Sequence, residues 1–286
     1  MSTAPTPSTI ASLCSQLGVT GEAELIRRGT NDVYRVGDRC VLRVGRLFSK
    51  TRVQSTLNAS AELSKHAPVL PPLTRVVASA EQDEVEFFAT AWPLAYPSGT
   101  PEGLGASLRA LHGVETSLVD VRPASPDDLP YKAIQRLENP PEWASRHIVS
   151  YLASKLDARR REWDKAFAAA EKSIVHNDAQ ASNVVCYDGR SVLIDLDTVA
   201  YGPSFYDLVP SRLARTRMAD ASAQGVFDAY GDTSEIEEFI QAGVAMREVT
   251  STTWLMTVDS PEHKSEFFKR FDTLVDPGDD RPWAAL

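Results

Sequence analysis

Cysteine is scarce in this chain of 286 residues. Cys14, Cys40 and Cys186 are odd in number, far apart and outside any Cys-x-x-Cys or Cys/His cluster, which argues against a disulfide framework and a structural zinc site. A basic excess is lacking too. The formal net charge is −9 and no basic tract offsets it, so a nucleic-acid partner is not expected. Long apolar runs are missing: the longest, residues 87–96, is too short to span a bilayer and contains Pro93. The first residues, MSTAPTPSTI, carry neither the basic nor the apolar region of a signal peptide. The expectation is a cytoplasmic-type protein without a membrane partner, a monomer or weak dimer. With 43% hydrophobic and 24% charged residues, the chain has the composition of a globular protein rather than a disordered one.

Residues 1–8, rich in Ser, Thr and Pro, read as a loose tail, followed by a short helix over 10–17 that Gly18 ends. β-prone runs follow at 24–28, 33–36 and 40–44, and Gly37-Asp38 between the last two is a hairpin signal. A helix over 55–65 stops before Pro68 and Pro71-Pro72, and strands over 76–79 and 85–90 flank the polar turn 81–83. After Trp92-Pro93 the character changes. A loop over 97–103 precedes a helix over 104–112, with Leu104, Leu108 and Leu111 on one face. The Pro/Asp-rich passage 123–130 reads as irregular, 144–172 as long helix, and most of the chain after Pro210 as helical. No internal repeat is present. The pattern predicts an α+β, bilobal fold: a small antiparallel β lobe with one helix over residues 1–92, joined near residue 92 to a larger, mainly helical lobe over 93–286.

The chemistry concentrates in residues 174–197, IVHNDAQASNVVCYDGRSVLIDLD. A short apolar strand delivers His176-Asn177-Asp178 into a loop, Asn183 follows five residues after Asp178, and Tyr187-Asp188-Gly189-Arg190 turns the chain. A returning apolar strand over 192–196 then carries Asp195 and Asp197, which strand alternation would point to one face. Two such carboxylates repel each other, and a divalent cation relieves the repulsion; Mg²⁺ takes hard oxygen ligands together with substrate phosphates. The Asn183 amide oxygen can join the same ion without adding charge. Asp178, if off the metal, is free to accept a proton from a hydroxyl. These are the parts of a phosphoryl-transfer site.

The spacing His-x-Asp-x-x-x-x-Asn, then Ile194-Asp195-Leu196-Asp197, then Gly202-Pro203-Ser204-Phe205-Tyr206-Asp207-Leu208 resembles the aminoglycoside phosphotransferase / choline kinase-like family. That resemblance implies a protein-kinase-like fold and transfer of the γ-phosphoryl of ATP or GTP, with Mg²⁺, to a hydroxyl of a small molecule. It implies Asp178 as catalytic base, Asn183 and Asp195 as metal ligands, Asp197 as a second acidic residue near the metal, and Asp207 as a buried support. In the small lobe, Gly29-Thr30-Asn31 takes the place of the nucleotide-covering loop, where small residues let backbone amides approach phosphate. Arg43, in Val41-Leu42-Arg43-Val44, takes the place of the phosphate-binding Lys of protein kinases; it is always charged and forks onto phosphate oxygens. Glu62 is the only acid between Arg43 and Pro72 that a helix could offer to it. The linker at 89–93 resembles the adenine-binding hinge, with Thr90 as acceptor and Trp92 as donor because Pro93 lacks an N–H.

His176 reads as architectural, hydrogen-bonded to the loop backbone, and His112 as structural, meeting terminal helix carbonyls. The basic run Lys155, Arg159, Arg160, Arg161 and Lys165 reads as a solvated face. After residue 219 the chain has fourteen Asp or Glu against five Lys or Arg, whereas the first 219 residues hold equal numbers. An acceptor pocket there would attract a cationic acceptor such as an aminoglycoside or another amine. The rival readings are a kinase for choline, homoserine, a sugar or a nucleoside, and a catalytically silent nucleotide-binding module.

Overall fold

The computed structural model describes residues 4–97, 99–276 and 278–285. The first helix, α1 (Pro7–Gln16), starts ahead of the expected position because the Thr6 side chain caps it, accepting from Thr9 N–H, while Pro7 presets its first turn. Thr6 is itself tied down: its N–H donates to Gln82 Oε1 at 2.7 Å. The loose tail expected over residues 1–8 is therefore not found over 4–8, and residues 1–3 lie outside the described residues.

Five strands form one sheet in the order β1-β2-β3-β5-β4: β1 (Ala23–Arg27), β2 (Asn31–Val36), β3 (Cys40–Gly45), β4 (Ala78–Gln82) and β5 (Val85–Pro93). All neighbours are antiparallel. Gly37 makes the β2–β3 turn at φ 58°, and the β4–β5 turn places Asp83 and Glu84 at φ 50° and 64°. Strand alternation gives β5 two faces: Phe87, Ala89 and Ala91 pack with Ile10, Leu13 and Leu17 of the α1 segment. Phe88 and Trp92 face Leu57 of α2 (Lys50–Leu63). This helix begins earlier than expected because Ser49 accepts from Arg52 N–H.

The second cluster under the sheet also contains Val185 and Val192 of a hairpin from the other lobe, β7 (Val184–Tyr187) and β8 (Arg190–Leu193). Both edges of that hairpin are clamped. On one, Leu70 N–H donates to Leu193 O at 2.9 Å and Leu193 N–H to Pro68 O at 2.7 Å. On the other, Tyr96 and Cys186 exchange backbone hydrogen bonds of 3.0 and 2.8 Å. The short hairpin thus closes both edges with its own chain.

The rest is helical: α3 (Pro101–His112), α4 (Asp128–Glu138), α5 (Arg146–Ala169), α6 (Val209–Arg217), α7 (Gln224–Tyr230), α8 (Glu237–Trp254) and α9 (Pro261–Val275), with β6 (Lys172–Val175) antiparallel to β9 (Ala200–Pro203). The helix α4 overturns the irregular reading of 123–130 for its last three residues only, since Pro130 sits in the first turn, where an N–H has no partner to lose. The basic run on α5 is only partly solvated: Lys155 Nζ donates to Leu274 O at 3.2 Å and Arg160 pairs with Asp164. Trp163 anchors the large core, ringed by Phe167, Phe205 and Tyr206, with its Nε1–H donating to Pro126 O at 2.8 Å. Among the described residues no helix is long and apolar enough to cross a membrane.

Gly243 lets α8 settle on this core. A Cβ there would run into Val209 Cγ2 and press on Phe205, which explains a glycine inside a helix where alanine is otherwise favoured. Gly243→Ala should therefore destabilise the fold by about 1–3 kcal/mol through overpacking. Urea denaturation checks this as a lowered midpoint; a midpoint equal to or above the wild type would contradict the close approach.

Candidate active site

Three backbone features aim the loop that follows β6. Asn177 is left-handed at φ 66°, a conformation that Asn tolerates better than most residues. Its N–H and that of His176 donate to the two oxygens of Asp207, each at 2.7 Å. The Asp207 side chain is fully buried and takes a third contact, from His112 Nε2 at 3.0 Å. His112 Nδ1 in turn meets Tyr230 OH at 2.9 Å, so this histidine bridges two side chains instead of meeting terminal carbonyls. His176 is buried, with Nε2 donating to Ile194 O at 2.9 Å; the expected architectural role matches this contact to the loop backbone.

Asp178 emerges half-buried from this support, with Gln180 Nε2 donating to its Oδ1 at 3.1 Å. Asn183 donates through Nδ2 to the Asp178 carbonyl at 2.9 Å, which turns its Oδ1 away from that loop. Asn183 and Asp195 are brought close through the hairpin: Ile194 N–H donates to Asn183 O at 3.0 Å, immediately before Asp195.

Asp195 and Asp197 do converge, but not by strand alternation. Strand β8 ends at Leu193, Asp195 is left-handed at φ 63°, and Leu196–Thr198 is a single 3₁₀ turn. Both carboxylates meet Arg43, whose Nη2 lies 3.1 Å from Asp195 Oδ1 and 2.9 Å from Asp197 Oδ2. Asn31 Nδ2 adds a 3.3 Å contact to Asp197 Oδ2. Glu62 is not the partner of Arg43; it pairs with Lys65, His66 and Arg75 instead. Burial opposes the Arg43 charge, but Asp197 and Asp195 outweigh it and raise the guanidinium pKa. Burial also pushes the Asp197 carboxyl up, against the pull of Arg43, and the neighbouring Asp195 adds to the rise.

The remaining predicted residues lie at other places on the sheet. Gly29 and Thr30 are exposed in the short connection between β1 and β2. Thr90 pairs with Arg43 across β3–β5, and Trp92 Nε1 donates to Thr90 Oγ1 at 2.9 Å. Ala91 O accepts from Leu73 N–H, away from β3, so alternation turns the backbone groups of Thr90 and Trp92 toward β3. These two are therefore ladder residues rather than a free hinge, and past the end of β5 Leu94 N–H still donates to Arg39 O at 2.9 Å. Asn31, Arg43, Thr90, Trp92 and Asp197 line one narrow cavity between the sheet and α2. The pairing of His112 with Asp207 was not legible in the sequence, where only its place in a helix-ending Leu-His-Gly marked it.

A model of the phosphotransferase enzyme family (APH) matches residues 22–240. The chain belongs to that family. Its pairing of Arg43 with two aspartates is thus a feature of a small-molecule phosphotransferase. Among solved structures, this phosphotransferase is similar to amicoumacin kinase hAmiN in complex with AMP-PNP, Ca²⁺ and Ami, at 13% identity and TM-score 0.65 over 97% of this chain and 94% of that one. Aminoglycoside phosphotransferase APH(4)-Ia gives 15% identity and TM-score 0.67 over 96% and 99%. A choline/ethanolamine kinase family protein from Mesorhizobium loti gives 18% and 0.63 over 93% of each chain. At these identities the likeness is one of fold, the bilobal protein-kinase-like α+β architecture. Among curated proteins no sequence matches this chain.

Arg43→Met would leave Asp195 and Asp197 facing each other without a cation, raising the Asp197 pKa further above its ordinary value. A carboxyl raised in the fold contributes stability below its unfolded pKa and loses it as pH rises through the folded one. The stability deficit of Arg43→Met against the wild type should be smallest near about pH 4 and widen toward about pH 7. Urea midpoints across that range test it; a deficit independent of pH would contradict the pairing.

Proposed function

We propose that this protein transfers the γ-phosphoryl of ATP or GTP to a hydroxyl of a small molecule, in the cleft between a lobe of residues 1–92 and a lobe of residues 93–286. The observation that carries the reading is the Arg43–Asp195–Asp197 contact across the two lobes, with Asp178 and Asn183 on the adjoining loop. Half-buried Val41, Ala95, Tyr187 and Ile194, packed against the inter-lobe apolar cluster, offer a bed for the base. Gly29, Thr30 and Asn31 lie at the β1–β2 connection, where backbone amides can meet phosphate, and Arg43 can move part of its charge from carboxylate to phosphate oxygen.

The donor set suits Mg²⁺. Asn183 Oδ1, Asp195 and Asp197 are hard oxygens, and the left-handed backbone at Asp195 holds its carboxylate in place. No three His, Cys, Asp or Glu among the described residues could hold an ion alone, so the protein would supply a few oxygens and the nucleotide phosphates the rest. When bound, the ion neutralises charge on the phosphate oxygens. Asp178 accepts the proton of the acceptor hydroxyl as its oxygen bonds to phosphorus. The bond from phosphorus to the bridging oxygen breaks, and the nucleoside diphosphate leaves with the electron pair. The rate gain comes from positioning and electrostatics.

Aminoglycosides and other amines head the acceptors to test, with choline, homoserine, sugars and nucleosides beside them. The acidic excess after residue 219 gives weaker support to an amine than the count suggests. Glu237, Glu248 and Glu266 are paired with Arg212, Arg217 and Arg270, and Asp272 and Asp279 with Arg281. A silent module is the second reading, favoured by the replacement of Lys with Arg43. Asp178→Asn separates the two: phosphoryl transfer should fall about 100-fold or more while nucleotide affinity holds. Mass-spectrometric detection of the phosphorylated acceptor and calorimetry of nucleotide binding check this; equal loss of both would remove Asp178 from the base role.

A further inference from the structure

Two arginines in the helical lobe have no assigned task. Arg136 on α4 and Arg247 on α8 are both half-buried, and among the described residues neither has a carboxylate partner. Their helices pack together. Arg136 Nη1 makes a long 3.4 Å contact to Thr250 O, and Thr250 lies one turn beyond Arg247, with its hydroxyl 3.4 Å from Arg247 O. Nearby carboxylates do not neutralise them: Asp128, at the start of α4, pairs with Arg122, and Glu248 pairs with Arg217. Burial lowers the Arg136 pKa, the signature of a cation that has lost water without gaining an anion. Elsewhere in this lobe half-buried arginines are matched, as Arg212 with Glu237 and Arg217 with Glu248. A half-buried guanidinium without a carboxylate partner carries a desolvation cost that an oxyanion relieves by accepting from its fork.

Their place in the fold ties them to the loop of Asp178. Gly243 brings α8 against Val209 and Phe205, and Arg247 follows one turn later on the same face, beside Tyr206. The buried Tyr206 hydroxyl has its pKa raised, first by burial; Arg247 pulls it down, while Asp128, Asp207 and Asp178 push it up. In sequence Tyr206 stands between Phe205, which Gly243 of α8 approaches, and Asp207, which holds the loop of Asp178.

We infer that Arg136 and Arg247 form the recognition site for an oxyanion carried by the acceptor, so that the phosphorylated molecule is a hydroxy-carboxylate or a phosphorylated alcohol whose free hydroxyl reaches Asp178. The inference rests on the phosphotransferase reading for its last step alone. Arg136 and Arg247 act in binding and specificity; proton transfer and phosphorus–oxygen bond exchange are those given for Asp178.

The test has two arms. In nucleotide-free full-length protein, inorganic phosphate and a simple hydroxy-carboxylate should raise the melting temperature. The rise should vanish in Arg136→Gln/Arg247→Gln and survive in Arg43→Gln, which separates this site from the nucleotide cleft. In the second arm, small hydroxy-carboxylates and sugar phosphates are offered beside their uncharged amide or dephosphorylated counterparts and beside amino sugars. At least one charged acceptor should exceed its uncharged counterpart by about tenfold or more in kcat/KM. Arg247→Gln should raise KM for that acceptor by a similar factor with KM for ATP unchanged, and Arg247→Lys should recover part of it. If no oxyanion stabilises the wild type more than the double variant, or if uncharged or amine acceptors are preferred and Arg247→Gln is neutral toward them, the inference is overturned. Oxyanion binding without transfer to any charged acceptor would overturn the acceptor role. Absence of nucleotide binding would instead refute the phosphotransferase reading and leave the first arm to decide the arginine site.

Discussion

The carboxylate of Asp207 holds the centre of this molecule in place. Buried without solvent, it accepts from the N–H groups of His176 and Asn177 and meets His112 Nε2. Each contact fixes a different part: the end of β6, the left-handed turn at Asn177, and through His112 and Tyr230 the helices α3 and α7. Losing such an acceptor would strand buried donors, at about 1–3 kcal/mol each. What hangs from it is the loop presenting Asp178 and Asn183, so the direction of those side chains is set by a group that itself faces neither cleft nor solvent.

The second tie runs between the lobes. Arg43 comes from the sheet, Asp195 and Asp197 from the segment after β8, and the three meet across the cleft. One guanidinium against two ionised carboxylates leaves one negative charge uncompensated, which Asn31 meets only with an amide N–H. In the proposed reaction triphosphate oxygens would compete for Arg43 and a cation for the carboxylates, so that both partners of the contact would become available together. The same segment explains why no helical glutamate is needed on α2: Asp197 supplies the anion from the other lobe, and Glu62 is left to neighbours on the surface.

Much of this was legible in the sequence, for identifiable reasons. The hairpins at Gly37-Asp38 and Asp188-Gly189 were marked by residues that accept positive φ, and both appear there. The site block 174–208 announced itself because its chemistry is local, with Asp178, Asn183, Asp195 and Asp197 within twenty residues. Local reasoning failed where geometry depends on distant partners. Alternation was the wrong route to the convergence of Asp195 and Asp197, since Asp195 is itself left-handed and a 3₁₀ turn follows it where strand was expected. Thr90 and Trp92 were placed in a hinge by resemblance, with Pro93 deciding only which of them would donate, yet β3 extends far enough to absorb their backbone groups. Helix α4 was hidden by Pro130, a residue that disfavours helix interiors but suits a first turn. Arg136 and Arg247, more than a hundred residues apart, are joined only by the packing of α4 on α8.

The central claim is that Asn183, Asp195 and Asp197 hold a divalent cation against nucleotide phosphates beside Arg43. Calorimetric titration of nucleoside diphosphate with and without Mg²⁺, in the wild type and in Asp195→Asn, measures this most directly. Mg²⁺ should tighten binding to the wild type by about tenfold or more and leave Asp195→Asn nearly unaffected. Equal metal enhancement in both proteins, or none in the wild type, would contradict it.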